Sequence, residues 1–167
     1  MTETIEPRTK VYDILKDFST AMMVTAGTDG RPESRPMHIA AVEPVAGYVW
    51  FLAGRGGAMV REIEAQPEVL LVLQNDHAAY LSVRGKANRV EDPARVRSLW
   101  KDMYKVWFPA GPDDPEIVLI AVHPTEAEYW DNRGSNKIEY MFEAAKAYIR
   151  GTKPEMGDAD QHGVAKL

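Results

Sequence analysis

The chain has 167 residues, 45% of them apolar and 27% charged, with a formal net charge of −5. This is the composition of an ordinary single globular domain, which buries about 70% of the surface its unfolded form exposes and holds a core without metal or disulfide staples. The absence of cysteine excludes a disulfide framework, a thiolate metal site and a cysteine nucleophile. The acidic balance argues against nucleic-acid binding, and a polar N-terminus without a long apolar run argues against a signal peptide or membrane span and for a cytoplasmic protein.

Val11, Ile14, Leu15 and Phe18 fall on one helical face, with Pro7 suited to the first turn. Strands follow at 21–26, 34–42 and 48–53, joined through Asp29-Gly30 and a second short turn, connections too short for a parallel crossover. The loop Gly54-Arg55-Gly56-Gly57 leads into a short helix over 58–66, stopped by Pro67. Residues 69–73 form a nearly all-apolar strand. In the strand at 79–90, Leu81, Val83, Gly85 and Ala87 alternate with polar residues, which predicts one wet face. Asp92 and Pro93 open a helix with Val96, Leu99, Trp100 and Met103 on its apolar face. An irregular segment carries Trp107 and Phe108, two more strands are expected at 117–122 and 126–130, and Ile138, Met141, Phe142, Ala145 and Ile149 mark a C-terminal helix ending at Gly151. The fold class is mainly β with α+β character: an antiparallel barrel with peripheral helices over residues 1–151, followed by a polar, loosely held tail at 152–167.

Two stretches invite a ligand. A strand end, a glycine turn and a helix start at Gly54 to Gly57 expose backbone N–H groups beside Arg55, a combination suited to a phosphate. The alternative is a turn that uses glycine for positive φ, with Arg55 merely solvated. In Ser34-Arg35-Pro36-Met37-His38 a proline sits inside a strand, which leaves backbone groups for something other than a neighbouring strand, or marks a plain edge. His38, His77, His123 and His162 are scattered without ligand spacing, so no metal site is expected. No Ser lies in a nucleophile elbow, and no side chain announces itself as a catalytic acid or base. Asp113, Asp114 and Glu116 read as a solvated turn.

The order of Ser34-Arg35-Pro36-Met37, Trp50-Phe51-Leu52, the Arg55 loop with Val60-Arg61-Glu62-Ile63, and Leu81-Ser82-Val83-Arg84-Gly85-Lys86-Ala87 resembles the pyridoxamine 5′-phosphate oxidase-like flavin-binding split barrels. Lys105-Val106-Trp107-Phe108-Pro109, Gly111-Pro112-Asp113-Asp114-Pro115 and Ala127-Glu128-Tyr129-Trp130-Asp131 make it most similar to their general stress protein branch. The resemblance implies a Greek-key split-barrel homodimer binding FMN, or FAD, at the subunit interface. It further implies Arg35, Pro36 and Met37 beside the flavin ring, with Phe51, Leu52 and Ala53 on the next strand. Arg55, Gly56, Gly57, Met59 and Val60 would lie at the phosphate, and Trp107 and Phe108 would close the site from the partner subunit.

Many relatives carry Thr, Ser and Lys where this chain has Ala53, Gly57 and Met59. Charge-assisted contacts of that kind contribute about 1.5 to 3 kcal/mol each, so their loss weakens FMN binding by orders of magnitude. Some relatives place their basic residue where Arg55 lies, and the resemblance therefore makes Arg55, backed by the N–H groups of Gly56 and Gly57, the expected phosphate partner. The functional expectation is a flavin nucleotide-binding protein, with flavin-dependent oxidoreductase activity as its enzymatic form and pyridoxamine 5′-phosphate oxidase activity disfavoured. The alternative is a cofactor-free barrel, or one that binds haem or deazaflavin.

Overall fold

The computed structural model describes residues 7–75, 79–131 and 162–167; the helix expected around Ile138 to Ile149 lies outside them. Helix α1 (Pro7–Leu15) precedes three hairpin-joined strands, β1 (Thr20–Ala26), β2 (Pro32–Glu43) and β3 (Tyr48–Gly54). Helix α2 (Ala58–Ala65) then carries the chain across to β4 (Glu68–Gln74), which pairs with β1. The resulting order β3-β2-β1-β4 is a Greek key. β5 (Ala79–Val90), helix α3 (Pro93–Leu99) and β6 (Ile117–Asp131) follow, and β6 pairs back onto β3 to close a six-stranded antiparallel split barrel.

Period-two alternation fills the barrel: Met23, Leu71, Leu73, Leu81, Val83, Phe51, Val118 and Ile120 point inward and are buried. α1 adds Val11, Ile14 and Leu15 to this core, each apolar side chain contributing about 1.5 to 3 kcal/mol on burial. β3 and the first part of β6, residues 117–122, are apolar on both faces. Their outward residues Trp50, Leu52, Ile117, Leu119 and Ala121 form a second cluster with Val96 of α3 and Tyr104. Gly85 marks the bulge where β5 meets Pro124: a Cβ there would lie 2.7 Å from the His123 carbonyl oxygen, so only glycine fits this close approach.

Three expectations are corrected. The strands expected at 117–122 and 126–130 are one strand. On the edge of β6 away from β5, β3 pairs only up to Val122 and the next partner begins at Glu126, so Pro124 sits in the gap between them, opposite the bulge at Gly85 of β5. That far partner is β7 (His162–Lys166), so the end of the supposed loose tail is ordered: its ladder hydrogen bonds and the buried Ala165 tie it to β6. Finally, the helix after Pro93 stops at Leu99. Trp100 is extended, and a separate 3₁₀ turn at Asp102–Val106 brings Tyr104 down onto the outward face of β3 and β6.

Candidate functional site

The barrel is open on one side of β2. β3 pairs with β2 only between Ile39 and Glu43, where a register shift near Ala40 bends the strand away. The stretch from Pro32 to His38 therefore has β1 on one side and, among the described residues, no strand on the other. Proline inside that stretch is tolerated for the same reason.

A cavity of about 570 Å³ opens at this edge, a volume in the range of small-molecule and cofactor sites. Thr20 of β1 and Pro36, Met37 and His38 of β2 line it, facing Leu52, Ala53 and Gly54 at the end of β3. Gly57, Met59 and Val60 enter from the start of α2, and Met103, Tyr104, Trp107 and Phe108 from the segment after α3. Most of these side chains are apolar. The polar exceptions are Thr20, His38 and Tyr104.

His38 and Tyr104 touch each other. The Tyr104 hydroxyl lies 2.9 Å from His38 Nδ1, and the rings meet edge to face with centroids 5.3 Å apart. Tyr104 is buried, which raises its phenolic pKa; burial, with a smaller contribution from the Lys101 charge, lowers that of His38.

Several expected site residues lie elsewhere. Phe51 points into the barrel core because β3 alternates, and Leu52 takes the cavity side. Arg35 turns towards α2: its Nη1 donates to Glu62 Oε2 at 2.8 Å and to Thr25 Oγ1 at 3.1 Å, while the Thr25 hydroxyl donates to the same carboxylate at 2.6 Å. Glu62 is only 7% exposed. Burial pushes its pKa up, but the hydrogen bonds from Thr25 and Arg35 and the charges of Arg35 and Arg61 together bring it below the ordinary carboxylate range.

Arg55 also faces away from the cavity. Its backbone N–H is held by the Glu116 carbonyl, and its guanidinium donates to Glu91 Oε1 at 2.5 Å and twice to the Pro115 carbonyl. These partners place it at a separate depression with Asp92, Arg97 and Asp113. Gly56 does not line the cavity, although Arg61 Nη1 donates to its carbonyl. Trp107 and Phe108 line the cavity of their own chain. Asp113 pairs with Arg97 and Asp114 accepts from the Glu116 N–H, as suits a solvated turn.

The glycines of the loop are not there for backbone conformation. None of Gly54, Gly56 and Gly57 has a positive φ, and a Cβ at Gly54 or Gly56 would meet nothing within 4 Å. Gly57 is the N-cap of α2 with no capping side chain, which leaves first-turn N–H groups open to a ligand. Open space at Gly54, uncapped amides in the first turn after Gly57 and apolar walls fit a planar ring with an anionic tail.

Sequence reasoning missed Thr20, Met103 and Tyr104, and named His38 only as the end of the ligand-inviting stretch at 34–38, without a role of its own. The alternation through β2 places His38 on the same face as Pro36 and could have given it one. Met103 and Tyr104 were hidden by the helix expected to continue past Leu99. Among the described residues no three His, Asp or Glu side chains form a metal site, and no helix is long and apolar enough to cross a membrane.

Comparison with known proteins completes the picture. A family model described as pyridoxamine 5′-phosphate oxidase like matches residues 6–155. No curated protein matches. A solved structure of a chain assigned as general stress protein 26 from Jannaschia sp. CCS1 superposes with a TM-score of 0.73 at 24% identity, covering 95% of this chain and 97% of that one. General stress protein 26 from Bacillus anthracis str. Sterne has a TM-score of 0.65 at 26% identity, with 73% and 92% covered. The general stress FMN/FAD binding protein from Xanthomonas citri has a TM-score of 0.66 at 27% identity, with 79% and 93% covered.

Proposed function

The chain belongs to the pyridoxamine 5′-phosphate oxidase-like family, and on that footing we propose that its cavity binds a flavin nucleotide, FMN or FAD. The observation that carries this reading is the join between an apolar cavity beside the unpaired edge of β2 and the uncapped start of α2. Pro36, Met37, Leu52, Ala53, Trp107 and Phe108 give a ring its apolar contacts and exclude water. The amides of the first turn of α2 take the phosphate. Bound flavin supplies redox chemistry, as in an oxidoreductase; the chain supplies position and electrostatics.

Two arginines flank the phosphate end. Arg55 is engaged by the Glu91 carboxylate and Arg61 by the neutral Gly56 carbonyl, so Arg61 is released to an incoming phosphate at lower cost. It takes the leading place expected of Arg55. A homodimer is supported by an apolar stripe on the outside of the barrel: Met22 lies opposite Val72 and Tyr80 opposite Trp130, all exposed, with Val164 beyond them on β7.

The deciding experiment is titration of the ligand-stripped protein with FMN and separately with FAD, read by flavin fluorescence and by melting temperature. Micromolar binding with thermal stabilisation is expected. Absence of binding at about 100 µM, weaker than about −5.5 kcal/mol, sinks the reading and turns attention to haem, deazaflavin or a cofactor-free barrel.

A further inference from the structure

We infer that Tyr104 locks His38 as a neutral imidazole whose Nε2–H is a hydrogen-bond donor to the ring of the cavity's ligand, with a carbonyl oxygen or unprotonated ring nitrogen as its acceptor. This rests on the flavin-nucleotide reading for the identity of the ring. The lock itself rests on the pair alone.

Tyr104 is 2% exposed, and the only side-chain partner of its hydroxyl among the described residues is His38 Nδ1. A buried O–H left without an acceptor costs about 1 to 3 kcal/mol, so the hydroxyl donates and Nδ1 accepts. A neutral imidazole carries one proton, which then sits on Nε2. No hydrogen bond to Nε2 occurs among the described residues, and His38 lines the cavity. The reverse arrangement, with Nδ1–H donating to the tyrosine oxygen, would leave the Tyr104 proton without an acceptor.

Protonation of His38 meets the same obstacle. The imidazolium has two donors and no acceptor, so Tyr104 would have to turn its own proton away into apolar surroundings. Burial opposes protonation of the ring as well, and the nearby Lys101 charge acts in the same sense. The pair therefore presents a neutral donor. Such a donor suits the acceptor-bearing edge of an uncharged heterocycle, and His38 is the residue that reads that edge. Tyr104 acts through His38 and is a positioning residue.

The test combines two measurements on the full chain. Nitrogen-15 NMR of the ligand-free protein should show His38 as the Nε2–H form at neutral pH in wild type, with the Nδ1–H form admixed in Tyr104→Phe. A merely structural tyrosine would leave that ratio unchanged. FMN titration should show about a tenfold or greater loss of affinity in His38→Leu, with part of it restored in His38→Gln, whose amide keeps a donor. Equal FMN affinity in wild type and His38→Leu, or an Nδ1–H form in wild type, overturns the inference. Failure of wild type to bind FMN, with the Nε2–H form present and relaxed by Tyr104→Phe, overturns the flavin reading and upholds the lock.

Discussion

Helix α2 carries two glutamates two residues apart, and each meets an arginine in a different medium. On the inner side Glu62 is 7% exposed and shares Thr25 and Arg35 with the start of the barrel. On the outer side Glu64 pairs with Arg89 at 2.9 Å, and Arg89 passes through Glu91 to Arg55, in a chain of side chains between 31% and 48% exposed. The chemistry is the same in both places. The difference lies in solvent: a carboxylate out of water must be matched group for group, whereas an exposed pair can exchange its partner for water at little cost. The inner set therefore anchors α2, and with it the cavity wall formed by Gly57, Met59 and Val60, while the outer set tunes the surface.

The largest effect should come from breaking the inner set. Glu62→Ala leaves Arg35 three-quarters buried without its counter-charge, and deprives the buried Thr25 hydroxyl of its acceptor. Removal of one partner of a fully buried pair costs about 3 to 5 kcal/mol; with Arg35 partly solvated, about 2 to 4 kcal/mol is expected from urea unfolding. A loss below about 1 kcal/mol would mean that water already reaches the inner set, and the contrast between the two sides would collapse.

This contrast was only half legible in the sequence. The resemblance implied Arg35 as a ring contact beside Pro36 and Met37, but β1 pairing aims it across the strand to Thr25 and Glu62, a long-range meeting that no local spacing announces. The barrel strands could be read because alternation and Asp-Gly turns are local signals: the strand expected at 79–90 is β5, with its wet face on the predicted side. Pro36, Met37, Leu52, Ala53, Gly57, Met59, Val60, Trp107 and Phe108 were placed by order and resemblance, and the fold brings them to one cavity. Arg55 was not legible, because its direction depends on Glu91 and on the Pro115 carbonyl, both supplied by distant segments. The change of partner along one edge of β6, from β3 to β7, was not legible, because 117–122 and 126–130 read as two separate strands.

The next effect distinguishes the two sides by pH. Glu62 has its folded pKa below that of the unfolded chain, so the fold favours its ionised form. That contribution is complete above the unfolded-state pKa and is lost as pH falls through the lower, folded value. Glu91 is shifted in the same direction, chiefly by its hydrogen bond from Arg55, but in contact with solvent. Salt near 1 M, with a Debye length of about 3 Å, should erase the outer part and leave the inner one. Wild type is therefore expected to lose stability on acidification even in high salt, and Glu62→Gln to lose much less over the same window. Parallel acid curves for the two proteins in high salt would assign the acid sensitivity to other carboxylates.

The smallest effect should come from Arg55→Ala. The substitution removes the Glu91 contact and both hydrogen bonds to Pro115, yet the guanidinium and its carboxylate partner stand in water and Arg89 remains to pair with Glu91. The melting temperature should stay within about 1 °C of wild type. FMN affinity should fall less than in Arg61→Ala, for which about a tenfold loss is expected, because Arg61 gives up only a neutral carbonyl to reach the phosphate. A larger loss in Arg55→Ala would show that binding opens the Arg55–Glu91 pair. The outer network would then be a gate on the phosphate end, and the two sides of α2 would differ in function as well as in solvent.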